Sequence, residues 1–202
     1  MSSFHYTTEA QRKSETYKVR FLLLIGFVLL AAASRFLPFP PNFAPIMAMA
    51  LFAGACFANK RYAFFVPIAA MFLSDLAIGL FSGNILGGFH NLMPVVYLSF
   101  ALIVCLGFWL KGRRRLAPIA GATLAGSILF FVVTNFSVWA FGTMYPKTLE
   151  GLGACFVAAI PFFQNSLAGD MFFVAALFGG LALAEKCYPA LRVGAPAARV
   201  VG

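Results

Sequence analysis

Asp75 lies in the middle of AAMFLSDLAIGLF, residues 69–81, and is the one ionisable group in that run. Asp170 closes a second apolar run, AAIPFFQNSLAGD. A carboxylate surrounded by hydrocarbon is costly unless it is paired, hydrogen-bonded or open to a polar cavity. Arg35, which ends an apolar run just before FLPFPPNFAP, is the basic residue placed to pair with Asp75, Asp170 or both. Asn42, Asn135 and Asn165 add amides that donate and accept, and Trp139 and Tyr145 add aromatic faces with polar tips. Together these eight residues are the candidate substrate-binding set: an ion pair, a second carboxyl group, three amides and two stacking surfaces.

Their composition suits recognition better than catalysis. Two carboxyl groups could in principle act as an acid–base dyad. Their flanks read LSD and LAGD, whereas intramembrane aspartyl proteases present YD and GxGD. No GxSxG, HExxH or Walker pattern occurs, and His5 and His90 have no neighbour at ligand spacing. Cys56, Cys105, Cys155 and Cys187 are far apart and read as packing residues, not metal ligands. The expectation is a protein that is not an enzyme, with no cofactor and no metal.

The elements that must position these groups are membrane helices. Of 202 residues, 62% are hydrophobic and 10% charged, and the mean hydropathy is +0.90. Soluble domains carry about 25% charged residues. Six apolar stretches are read as spans, over 21–33, 46–58, 62–81, 92–110, 116–141 and 162–184. Four prolines in 38–45 break the chain between the first two, and SGNILGGFHN joins the third to the fourth. Ala50, Gly54 and Ala58 give the second span a small-residue face. Residues 152–160 are read as a short helix at or re-entering the membrane surface, ended by a break near Pro161. The domain plan is a mobile cytoplasmic tail over 1–18, a membrane domain over 19–185 and a cytoplasmic tail over 186–202.

Basic residues orient this bundle. With the N-terminus inside, thirteen Lys and Arg fall in inner segments and only Arg35 and Lys147 fall outside. Both termini are then cytoplasmic, and the net charge of +9 is a topology signal, not a nucleic-acid footprint. All eight candidate residues come out on the outer side, each from an outer span end or connection. Asn42-Phe43 and Asn135-Phe136, each followed by a proline and then an acid, also hint at an inverted repeat.

At RFLPFPPNFAPIMAMALFAGACF, VPIAAMFLSD, TNFSVWAFGTMYPKTLEGL and AAIPFFQNSLAGD the chain resembles a family of small uncharacterised bacterial six-span membrane proteins. That family is distantly similar to the substrate-binding S components of energy-coupling-factor (ECF) transporters. The resemblance implies an all-α fold in the bacterial cytoplasmic (inner) membrane, with a pocket that takes a small solute from outside. It also implies a membrane coupling subunit with ATPases as partner. The first span departs from that pattern, because it offers only Ala31 to Ala33 where S components carry an AxxxA docking face. The N-terminal Met-His signature of cobalt and nickel uptake proteins is missing as well. A non-catalytic scaffold, whose polar cluster only fixes helix register, is the alternative.

Overall fold

The computed structural model describes residues 2–83 and 92–192, so His90 and most of the SGNILGGFHN loop lie outside the described residues. Six α-helices make up the described fold: α1 (Ser2–Ala33), α2 (Ile46–Cys56), α3 (Lys60–Phe81), α4 (Met93–Trp109), α5 (Leu116–Phe141) and α6 (Leu149–Cys187). Short 3-10 turns follow α1 at Ser34–Phe36 and α6 at Pro189–Leu191. The all-α expectation is met.

Four helical segments are long and apolar enough to cross a bilayer: Gln11–Phe36, Lys60–Phe81, Leu116–Phe141 and Leu149–Cys187. Their outward faces are apolar too. Leu124, Ile128 and Val132 form an exposed stripe at four-residue steps along α5, and Leu22, Leu30, Phe65 and Leu73 are exposed on α1 and α3. Apolar side chains inside and out mark a protein whose solvent is lipid. The chain is an integral membrane protein.

The helix at the second apolar stretch is shorter than the 46–58 reading. α2 has 11 residues, about 16 Å, which is half of a ~30 Å hydrocarbon core. Every residue of Met47–Cys56 is buried, because α1, α3, α4, α5 and α6 all pack on it. Its hydrophobicity serves the protein core and not the lipid. Phe52, Met49 and Leu51 meet Phe100, Ile103 and Val104 of α4 and Leu177 and Leu181 of α6 in one cluster. The expected small-residue face is real at Gly54 only in part as drawn, since Ala58 lies past the helix end and is exposed. Gly54 crosses Gly107 of α4 so closely that a Cβ at Gly54 would sit 2.2 Å from the Val104 carbonyl oxygen. The α2–α4 contact is therefore backbone on backbone.

Two further expectations change. Residues 2–18 are helical and continuous with the first span, forming the first turns of α1. Likewise α6 does not break at Pro161; it runs unbroken for 39 residues with Pro161 inside it, about 58 Å. Proline removes one backbone hydrogen bond. In apolar surroundings water does not compete for the remaining ones, so the helix continues. Phe131 of α5 stacks on Phe156 and Phe163, one on each side of Pro161, at 5.5 and 4.8 Å. The Asn-Phe repeat is not structural: Asn42 lies in a turn and Asn135 within α5.

Candidate functional site

Arg35 sits in the 3-10 turn that ends α1, where Pro38 prevents further helix. Its guanidinium reaches α3. Nη2 lies 2.6 Å from Asp75 Oδ1, and Nη1 donates to Ser74 Oγ and, at 3.4 Å, to the Met71 carbonyl. The Tyr97 hydroxyl of α4 donates to Asp75 Oδ2 at 3.3 Å. Asp75 is only 3% exposed. The expected Arg35–Asp75 pair thus forms, and two groups the sequence reading passed over, Ser74 and Tyr97, complete it.

Asp170 is held elsewhere. Ser127 Oγ of α5 donates to its Oδ2 at 2.7 Å, and the ion pairs among the described residues do not include it. Asp170 is 6% exposed. Arg35 therefore serves Asp75 and not Asp170.

The remaining candidates fall into local roles. Asn42 is exposed at φ 64°, a left-handed turn that asparagine tolerates better than most residues. Asn135 Nδ2 donates back to Phe131 of its own helix at 2.8 Å. Asn165 Nδ2 donates to the Pro41 carbonyl at 3.1 Å, tying α6 to the proline-rich connection. That tie is reinforced at Gly169, where an added Cβ would meet Phe43 and Ala44 backbone atoms at 3.1 Å, and by Phe43 stacking on Phe172 and Phe173. Trp139 Nε1 donates to the Pro146 carbonyl at 2.9 Å, and Lys147 covers the Trp139 ring and donates to its carbonyl. Tyr145 is half-buried in the same loop. Seven of the eight residues fall into four small clusters: Arg35 with Asp75, Asp170 with Ser127, Asn42 and Asn165 at the proline connection, and Trp139 and Tyr145 at the α5–α6 loop; Asn135 bonds within its own helix.

A second polar layer was absent from the sequence reading. Arg20 Nη1 and Arg114 Nη1 both bind Glu185 Oε1, at 2.7 and 3.0 Å, and Arg20 also donates to the Leu191 carbonyl. These residues looked like topology charges. The signal available was Glu185 itself, an acid directly after the apolar run LALA. Fifteen residues separate Arg20 from Arg35, and fifteen separate Asp170 from Glu185, about 22 Å in each case. The bundle therefore has two polar layers with apolar packing between them. Every described buried side-chain nitrogen and oxygen has a hydrogen-bond partner.

Residues 15–191 match a family of unknown function (DUF6580), and the chain belongs to that family. No curated protein and no solved structure matches it.

Proposed function

We propose that this member of the DUF6580 family is a solute-binding or transport subunit of the bacterial cytoplasmic membrane, similar to ECF S components and without enzymatic activity. Asp170 carries the proposal. It is a carboxyl group deep among apolar helices, held by one serine hydroxyl, and such groups within membrane helices mark solute or ion pathways. Arg35 balances Asp75, so Asp170 is the carboxyl group in this layer that has no cation beside it among the described residues. That balance favours a solute bearing an amine or another hydrogen-bond donor. A coupling subunit with ATPases supplies the energy for release.

In this reading the chain crosses the membrane six times with both termini inside. The second crossing is α2, shielded by the five helices around it, together with the proline-rich connection at its outer end, where 36–38 and 40–42 are exposed. Cys187 is exposed beyond the inner layer. A membrane-impermeant maleimide should label Cys187 in inverted vesicles and not in right-side-out vesicles; the opposite pattern would reverse the topology.

The functional test is a thermal-unfolding screen of the purified protein against amine-bearing, neutral and anionic solutes. An amine-bearing solute at a hundredfold excess over its Kd should stabilise the fold by about 2.7 kcal/mol. Stabilisation by anions alone, or by nothing in the panel, would count against the proposal. A scaffold is the second reading. The observation that favours it is the complete pairing of described buried polar atoms, which a register-fixing cluster also requires.

A further inference from the structure

Beneath the Ser127–Asp170 hydrogen bond, α5 and α6 part to leave a groove of about 460 Å³. Thr123, Val174 and Phe178 line its apolar length, and Arg114 and Glu185 stand at its inner end. Met171, Ala175, Gly179 and Ala182 along its α6 wall are exposed, so the groove opens sideways. In a membrane that direction is the lipid. From Glu185 to Met171 the α6 wall advances fourteen residues, about 21 Å. Half of a ~40–45 Å bilayer, headgroups included, is the same length. The groove thus spans one leaflet.

We propose that this groove holds an acyl chain of an anionic phospholipid, with the lipid phosphate on Arg114. Charge selects the occupant. Arg20 and Arg114 share the single carboxylate of Glu185, which leaves the cluster one positive charge in excess. Lys111, Arg113 and Arg115 flank it in sequence. Arg114 keeps 28% of its side chain exposed, enough to meet a phosphate without releasing Glu185. α5 starts at Leu116 with no side-chain cap, so its first amide groups add to the positive potential at the same end. Basic pockets between membrane helices on the cytoplasmic side recognise anionic headgroups by this chemistry. A second copy of the chain fits less well. Two copies share one orientation in a membrane, so pairing through this face would set arginine cluster against arginine cluster. The inference stands without the solute-binding reading.

The test reconstitutes the full chain in vesicles of equal parts phosphatidylcholine and phosphatidylglycerol, extracts it in mild detergent and weighs retained lipid by native mass spectrometry. The wild-type chain should retain phosphatidylglycerol in about tenfold preference, because both lipids offer a phosphate to Arg114 but the choline cation of phosphatidylcholine is repelled by the excess positive charge of the cluster. Ala175→Phe, which obstructs the groove mouth and leaves Arg114 and Glu185 untouched, should lose the retained lipid. Arg114→Gln should retain lipid with the preference erased, and Arg114→Lys should restore part of it. Equal retention of both lipids by the wild type would overturn the proposal. So would undiminished phosphatidylglycerol in Ala175→Phe, or a dimer in which Ala175 is shielded by the second copy.

Discussion

Replacing Arg35 with alanine is expected to destabilise the fold by about 3–5 kcal/mol, because it leaves the Asp75 carboxylate buried without its cation. Asp75 is 3% exposed and has Ser74 and Tyr97 beside it. Those hydroxyls can solvate a carboxylate in part but cannot neutralise it. The double variant Arg35→Leu/Asp75→Leu should recover most of the loss, since replacing both members of a buried pair by apolar groups is often close to neutral. Thermal midpoints of the single and double variants in detergent, compared as a double-mutant cycle, measure this directly. Equal damage in the single and double variants would mean that the pair is not what holds α1 to α3.

Glu185→Ala should cost a similar amount for the opposite electrostatic reason. Arg20 and Arg114 converge on one carboxylate, and removing it leaves two guanidinium groups facing each other, one of them 7% exposed. The loss should again be about 3–5 kcal/mol. It should be larger than that from Lys18→Ala, because the Lys18–Glu15 pair is exposed on both sides and such pairs contribute little. The contrast is read from thermal midpoints at one ionic strength. Added salt should leave the Glu185 effect nearly unchanged, since buried pairs are weakly screened.

How much of this was legible in the sequence depended on how few candidates each question had. Arg35 is one of two basic residues on the outer side in the charge count, so its pairing with an acid there could be reasoned out. Asp170 offered no such shortlist. Its partner Ser127 is one serine in an apolar helix, and nothing in composition distinguishes it from Ser137, which bonds back to Thr134. The Arg20–Glu185–Arg114 layer was hidden because basic residues that flank apolar runs read first as orientation signals and not as partners of an acid. The length of α2 gave fair warning, because 46–58 is too short for about 20 residues of span. That it occupies the centre depends on contacts from five other helices, which no local pattern encodes. The continuity of α6 through Pro161 was illegible for a similar reason: Phe131 braces both sides of the proline from another helix.

The convergence expected for the eight candidate residues also separates into what local sequence could and could not show. Asn42 and Asn135 satisfy backbone needs next to themselves, as asparagine commonly does. Asn165 and Trp139 stitch connections to helices. Arg35, Asp75 and Asp170 remain as the ionisable core of one polar layer, fifteen residues along α1 and α6 from Arg20 and Glu185.

The solute-binding reading rests most heavily on Asp170, so the direct measurement is Asp170→Asn with the solute that stabilises the wild-type protein. Asparagine keeps the size of the side chain and can still accept the Ser127 hydroxyl. The account predicts an unchanged folded yield and an unliganded midpoint close to wild type, with the solute-induced rise in midpoint abolished. A variant that keeps the full rise would contradict a binding role for Asp170.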